Sequence, residues 1–103
     1  MIITRYEVLV NQDRIGNFVA MLYAGQIRAA RALLAWRQED LAKAAKVGLA
    51  TIQRIEQAGG VAMANMSTLL RLQEALEKAG IRFIDAGAGQ GFGVHWDARA
   101  KPR

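Results

Sequence analysis

Few side chains in this sequence are of a type and spacing that could support catalysis. His95 is the single histidine, and the chain has no cysteine that could share a metal ion with it. Glu39 and Asp40 are adjacent in a predicted helix, so their carboxylates diverge and paired acid–base work is not expected. We therefore expect no enzymatic activity, no metal site and no other cofactor.

A glycine-rich segment near the C-terminus has a superficial similarity to a phosphate-binding loop. Its glycines occupy positions 87, 89, 91 and 93. Phe92 stands where the dinucleotide-binding pattern has its third glycine, and no helix is predicted to follow. The sequence instead favours a loop that connects two strands of a hairpin.

Basic side chains give a stronger indication of a binding partner. Fourteen Lys and Arg residues against nine Asp and Glu residues give the chain a formal charge of +5. Six basic and three acidic residues lie between positions 26 and 57, a local charge of 6 − 3 = +3: Arg28, Arg31, Arg37, Lys43, Lys46 and Arg54 against Glu39, Asp40 and Glu56. This balance suits a polyanion such as double-stranded DNA, although the solvated surface of a helical bundle would have a similar composition.

The segment that must position these side chains runs from Gln38 to Gln57 and is predicted to form two short helices joined by a tight turn. Its apolar residues recur at helical spacing and would share one core: Leu41, Ala42 and Ala45 on the first helix, Ile52 and Ile55 on the second, and Val47 between them. The small alanines allow the helices to cross closely. This construction is typical of a helix-turn-helix, which presents its second helix to the major groove of DNA.

Two further helices flank this pair in the sequence. A helix is predicted over 26–35, followed by Trp36 as a core residue between it and the next helix. Gly59 and Gly60 favour an end to the second helix of the pair, through the left-handed conformation that glycine adopts at a helix C-terminus. A last helix is predicted over 68–79, with Ser67 as its N-cap and an ion pair between Glu74 and Lys78.

The two ends of the chain give weaker patterns. Residues 1–10 are predicted as a strand, 11–13 as a turn or helix cap, and 15–22 as a helix. Alternation of apolar residues after Gly80 predicts strands at 81–84 and 92–96 around a loop over 85–91. The domain organisation that we expect is an N-terminal extension over 1–25, a DNA-binding domain over 26–80, a β-hairpin over 81–98 and a basic tail over 99–103.

Nothing in the sequence indicates export or membrane insertion. Charged residues such as Arg5, Glu7 and Asp13 interrupt any N-terminal apolar run that could act as a secretory signal. The longest apolar stretch, 18–25, is far shorter than the roughly 20 residues that a transmembrane helix needs. We expect a cytoplasmic protein with no membrane partner.

The central segment resembles the lambda-repressor-like helix-turn-helix domains of the Cro-type and XRE-type transcriptional regulators. The similarity rests on Gln-x-x-Leu-Ala over 38–42 followed by Thr-Ile-x-x-Ile-Glu over 51–56, with further matches over 31–37 and 67–76. The closing Gly-Ile-Arg-Phe-Ile and Gly-Val-His-Trp are similar to a strand pair in one bacterial branch. The resemblance implies a mainly α fold, a bundle of about four to five helices with a short C-terminal β-hairpin.

The resemblance also implies roles for individual residues. Gln38 corresponds to a glutamine that contacts a DNA phosphate, and Gln53 and Arg54 have side chains suited to reading bases or holding phosphate. Arg31 and Glu56 correspond to a partly buried ion pair that ties the first helix to the end of the recognition helix. The full set of expected DNA-binding residues is Arg37, Gln38, Lys46, Gly48, Leu49, Ala50, Thr51, Gln53 and Arg54.

Four of these residues differ from the pattern of the family. Lys46 replaces a glycine with positive φ, which implies strain of about 1 kcal/mol or a reshaped turn. Gly48 and Arg37 replace Ser or Thr caps, and Leu49 replaces a polar residue that reads bases. The recognition surface is therefore expected to be more apolar than usual and to depend on phosphates and thymine methyl groups.

Three functional hypotheses follow. The first is a sequence-specific DNA-binding transcriptional regulator that binds a palindromic operator as a homodimer through the helix over 50–57. The second is an antitoxin-type regulator that also binds a partner toxin protein. The third is a protein-interaction module with a degenerate DNA-binding surface.

Overall fold

A computed structural model of the chain describes residues 14–15, 18–19, 22–84 and 91–98. In chain order its elements are β1 (Arg14–Ile15), β2 (Phe18–Val19), α1 (Ala24–Leu34), α2 (Gln38–Ala45), α3 (Leu49–Gln57), α4 (Met66–Lys78), β3 (Ile81–Ile84) and β4 (Gly93–Trp96). The described part is thus mainly helical, with four helices and a C-terminal hairpin, which confirms the predicted fold class.

The core forms where the apolar stripes of the four helices meet. Leu41 and Ala45 of α2, Ile52 and Ile55 of α3 and Ile27 of α1 are all buried. Trp36 and Val47 are partly buried and pack against this cluster, as predicted for residues at the junctions between helices. Helix α3 is therefore fixed on one side by burial of its isoleucines, and its other side is left to solvent.

The C-terminal hairpin closes one end of the bundle. Strands β3 and β4 are antiparallel, with Ile81 opposite Trp96 and Ile84 opposite Gly93. Phe83 is buried in the core, and the Trp96 indole Nε1 donates a hydrogen bond to the Ala79 carbonyl at 3.3 Å. The hairpin therefore belongs to the same core as the helices.

A single buried glutamine joins the hairpin to α1. Gln26 is 4% exposed, and its side-chain Nε2 donates to the carbonyls of Ile84 and Gly93 at 3.0 and 2.9 Å. Its Oε1 accepts a hydrogen bond from the Tyr23 backbone N–H at 2.8 Å. One side chain thus satisfies two carbonyls at the loop end of the hairpin and one donor at the start of α1.

The segment before α1 is also tied to the segment after α3. Tyr23 and Val61 form an antiparallel β-bridge, with backbone hydrogen bonds from Ala24 to Gly60 and from Ala62 to Leu22 of 2.8 and 2.7 Å. Gly60 has a φ of +77°, which glycine adopts without strain. This turn directs the chain away from the end of α3 and into the bridge.

The predicted helix over 15–22 is wrong. Arg14–Ile15 and Phe18–Val19 instead pair as two short antiparallel strands, and Tyr23 is an extended residue directly before α1. The apolar spacing of three and four residues there fits a helix, but Gly16-Asn17 between the strands is a dipeptide that favours a two-residue hairpin turn. The strand predicted over 1–10, the turn over 11–13, nearly all of the loop over 85–91 and the tail over 99–103 lie outside the described residues.

Two predicted helix ends also differ. The N-cap of α4 is Asn65 and not Ser67: the Asn65 side chain accepts a hydrogen bond from the Thr68 backbone N–H at 2.8 Å. The C-cap of α3 is Ala58 in an extended conformation, so the left-handed glycine comes two residues later, at Gly60. Asparagine is as good a cap as serine, and its side chain reaches the N–H three residues on.

Candidate nucleic-acid interface

Helix α3 presents one polar, exposed face. Ala50, Gln53, Arg54 and Gln57 are exposed and lie on one side of the helix, three or four residues apart from one turn to the next, whereas Ile52, Ile55 and Glu56 are buried. Leu49 and Thr51 are half-buried at the N-terminal edge of this face. The arrangement matches what a recognition helix needs, since the side chains that could reach base edges are directed away from the core.

Arg54 lies on this face and has little contact with the rest of the described chain. Its one described hydrogen bond is from Nη1 to the Met63 carbonyl at 3.4 Å, a long contact at an exposed site. Most of the five N–H donors of the guanidinium are therefore available to an external acceptor. The neighbouring Gln53 amide is exposed as well.

On the opposite, buried side of α3, Glu56 links this helix to α1. Its side chain is 3% exposed and accepts two hydrogen bonds from Arg31 of α1, from Nε to Oε2 and from Nη2 to Oε1, both 2.7 Å. Arg31 also donates from Nη1 to the Trp36 carbonyl at 3.0 Å. These hydrogen bonds to Glu56 raise the Arg31 pKa above its usual value, so the Arg31 guanidinium is charged.

Gln38, the residue expected at a DNA phosphate, is part of the same cluster. Its Nε2 donates to Glu56 Oε1 at 3.0 Å, and its side chain is half-buried. An amide nitrogen carries two hydrogens, so one N–H remains for a second acceptor. The Glu56 carboxylate therefore fixes the first residue of α2 as well as the end of α3.

Arg28 makes a contact that the sequence analysis did not foresee. Its Nη1 donates to the Glu56 backbone carbonyl, within the last turn of α3. Carbonyls in the last turn of a helix lack an intrahelical partner, and a guanidinium is a suitable replacement. Two arginines of α1, three residues apart, thus hold one residue of α3 by its side chain and by its backbone.

A side chain in the first turn of α2 caps the N-terminus of that helix. The Asp40 carboxylate accepts a hydrogen bond from the Arg37 backbone N–H at 2.8 Å, and this bond is the main reason that the Asp40 pKa lies below its usual value. The Arg37 guanidinium lies 3.6 Å from the same carboxylate and is 75% exposed. Arg37 thus remains close to the start of α2 and open to solvent.

The turn between α2 and α3 has the geometry predicted for a glycine position. Lys46 has φ 57° and ψ 46°, the left-handed conformation, and Gly48 is the N-cap of α3 without a side-chain hydrogen bond. Lys46 is exposed and lines a groove between α2 and α4. Gly48 is exposed, so its backbone is open to an approaching ligand.

Sequence reasoning missed two residues of this surface. Gln57 lies seven residues after Ala50, the helical spacing that would have placed it on the exposed face. Arg28 appeared only as a contributor to positive charge, since no local pattern reveals that its side chain reaches the end of α3.

The described residues offer little for other chemistry. They contain no group of three or more His, Cys, Asp or Glu side chains that could hold a metal ion. No helix in this part of the chain has the length and apolar character needed to cross a bilayer.

Comparison with known families identifies the same region. A family model described as helix-turn-helix matches residues 27–80, just over half of the 103-residue chain. The match begins within α1 and ends at Gly80, two residues after α4. Comparisons with curated proteins and with solved structures found no significant match.

Proposed function

Because this chain belongs to the helix-turn-helix family of DNA-binding regulators, we propose that it is a transcriptional regulator that binds specific sequences of double-stranded DNA through α3. The observation that carries the proposal is the exposed face of Ala50, Gln53, Arg54 and Gln57, opposite the buried Ile52 and Ile55. In such domains the second helix of the motif enters the major groove and its exposed side chains contact base edges.

The chemistry of the face suggests what it reads. The Gln53 amide can donate to and accept from adenine, and the Arg54 guanidinium can donate two hydrogen bonds to guanine or hold a phosphate. The methyl groups of Leu49, Ala50 and Thr51 suit contact with the thymine methyl group. The expected site therefore contains thymines next to a position at which Arg54 selects guanine.

Contacts with the DNA backbone would come from the start of α2 and from the turn. Arg37 is exposed there, the Gln38 amide has one N–H that can donate to a phosphate, and the backbone at Gly48 is exposed to solvent. Free N–H groups at a helix N-terminus attract phosphate. These contacts would fix the orientation of α3 and contribute affinity that does not depend on sequence.

We further propose that the regulator acts as a homodimer on a palindromic operator. A single recognition helix buries too little surface for strong specificity, and a two-fold dimer doubles the contacts at half-sites about 10–10.5 base pairs apart. The β3–β4 hairpin is the proposed dimer contact, since a two-stranded sheet has edges that a second copy can pair with. Residues 1–25 are the alternative contact.

Selection of binding sites from random duplexes with the full-length chain tests the proposal. The expected result is an enriched palindrome whose half-sites are spaced by one helical turn and contain guanine. Enrichment of a single half-site would support specific recognition of DNA but contradict the proposed dimer. Failure to enrich any sequence at low salt would overturn the regulator assignment in favour of an interaction module.

A further inference from the structure

A groove runs between α2 and α4, apart from the proposed DNA-reading face. Its larger part encloses about 310 Å³ and its smaller part about 170 Å³, and the two share Ala44, Ala75 and Lys78 as lining residues. Trp36 lines the far end. Neither part is lined by a residue of α3.

The floor of the groove is apolar and formed by short side chains. Ala44, Ala45 and Ala75 leave space between the two helices, and the half-buried Trp36 adds an aromatic surface at one end. Apolar side chains of a bound partner segment would therefore fit between the helices and make apolar contacts there. A DNA backbone, by contrast, gains nothing from a floor of this kind.

The walls of the groove carry an excess of positive charge. Lys46, Arg71 and Lys78 line it against one carboxylate, that of Glu74, a balance of 3 − 1 = +2. The ion pair predicted between Glu74 and Lys78 does not form, and Arg71 has only a 3.5 Å hydrogen bond to the Lys46 carbonyl. Among the described residues, none of the three cations has an ion-pair partner within 4.0 Å.

We propose that the α2–α4 groove is a docking site for an acidic amphipathic helix of a partner protein. Arg71 and Lys78 are seven residues apart on α4, a rise of about 10.5 Å, with Glu74 between them. Carboxylates at positions i and i+7 of a docked helix match the two cations, and apolar residues at i+3 and i+4 face the alanine floor. Charge complementarity selects this occupant, and the site operates independently of DNA binding.

The test uses the full-length chain and a synthetic helical peptide as probe. The peptide carries glutamates seven residues apart, with leucine and alanine between them on the same face. Its matched control carries lysines in place of the glutamates. Fluorescence anisotropy of the labelled peptides measures binding, and the same protein samples are assayed for binding to the operator obtained by selection, or to mixed-sequence duplex DNA at low salt if selection gives none.

Three variants locate the site. Arg71→Glu reverses the charge of one lining residue, and Ala44→Leu places a larger side chain in the groove at an exposed position without changing charge. Arg54→Glu reverses an equivalent charge on α3, outside the groove. We expect the glutamate peptide to bind and the lysine peptide not to bind, with Arg71→Glu and Ala44→Leu weakening binding by about tenfold or more and Arg54→Glu leaving it unchanged.

The opposite outcomes would overturn the proposal. These are no binding of the glutamate peptide, equal binding by wild type and Arg71→Glu, or an equal loss in Arg54→Glu, which would indicate attraction to the whole basic surface. Self-association that Arg71→Glu abolishes, without peptide binding, would assign the groove to a second copy of the chain. Loss of DNA binding in Arg54→Glu alone, with peptide binding intact, would support both proposals separately.

Discussion

The Glu56 carboxylate of α3 lies 2.7 Å from the Arg31 guanidinium of α1, and its side chain is only 3% exposed. Two parallel hydrogen bonds between an arginine and a carboxylate are among the strongest polar contacts in proteins. The pair connects the first helix of the bundle to the last turn of the proposed recognition helix. The position of α3 therefore depends on α1 as well as on its own isoleucines.

Replacing Arg31 by leucine should destabilise the domain strongly. The variant leaves the Glu56 carboxylate buried without its main partner, which costs about 3–5 kcal/mol. Urea denaturation followed by circular dichroism measures the loss. The double variant Arg31→Leu/Glu56→Leu should recover much of it, because an apolar pair replaces a buried pair of charges.

The matched control for this variant is Arg37→Leu. Arg37 pairs with Asp40 at 3.6 Å, but the arginine is 75% exposed, so its loss should cost less than about 1 kcal/mol. Equal losses in the two single variants would contradict a special role for the buried pair.

A second prediction concerns backbone strain at Lys46. Lys46 and Ala35 both have φ 57°, a conformation that costs an L-residue about 1–2 kcal/mol. Lys46→Gly and Ala35→Gly should each stabilise the domain, by about 0.5–1 kcal/mol after the entropy cost of glycine. Thermal unfolding checks both variants. Lys46→Ala removes the side chain but keeps the strain, and a stabilisation as large as that of Lys46→Gly would show that strain is not the cause.

A third prediction concerns the joint between the hairpin and α1. Gln26→Leu leaves the Ile84 and Gly93 carbonyls without their donor, and we expect a loss of about 1–3 kcal/mol together with faster hydrogen exchange in β3 and β4. Gln26→Glu should lower the stability of the domain more than Gln26→Leu does at neutral pH, because a carboxylate then faces two carbonyl oxygens. The loss of stability in Gln26→Glu should become smaller in acid, where the protonated carboxyl can donate a hydrogen bond. A loss that does not depend on pH would argue against this geometry.

A fourth prediction follows from the lowered pKa of Asp40. The folded pKa is depressed below the ordinary value of 3.8, mainly by the hydrogen bond from the Arg37 N–H, so the ionised carboxylate stabilises the fold above that value. This contribution disappears as the pH falls through the folded pKa. Asp40→Asn should therefore be less stable than wild type near neutrality, and the two unfolding curves should converge in strong acid. A constant difference across the pH range would contradict the assignment.

The helix-turn-helix could be predicted from sequence because its pattern is local. Leu41 and Ala45 in α2, and Ile52 and Ile55 in α3, repeat at the spacing that buries one side of a short helix, and these residues lie in the core. The left-handed turn at Lys46 followed from the family resemblance, which marked the position as one that requires positive φ.

Other features could not be predicted because they depend on contacts between distant segments. Gln26 is polar and stands at the start of a helix, so its sequence context indicates a surface residue. Its burial follows from the hairpin, whose carbonyls at 84 and 93 are 58 and 67 residues away. Arg28 is similar, since only the packing of α1 against α3 brings it to Glu56.

The central claim is that the exposed face of α3 binds DNA through Arg54, and the direct measurement compares Arg54→Ala with Arg71→Ala on the operator over a range of salt concentrations. Both variants remove one exposed arginine, from α3 and from α4 respectively. We predict that Arg54→Ala weakens specific binding by about 1–3 kcal/mol while the fold is unchanged by circular dichroism. Arg71→Ala should bind almost as wild type does. Equal affinities for wild type and Arg54→Ala, or equal losses in both variants, would contradict the account.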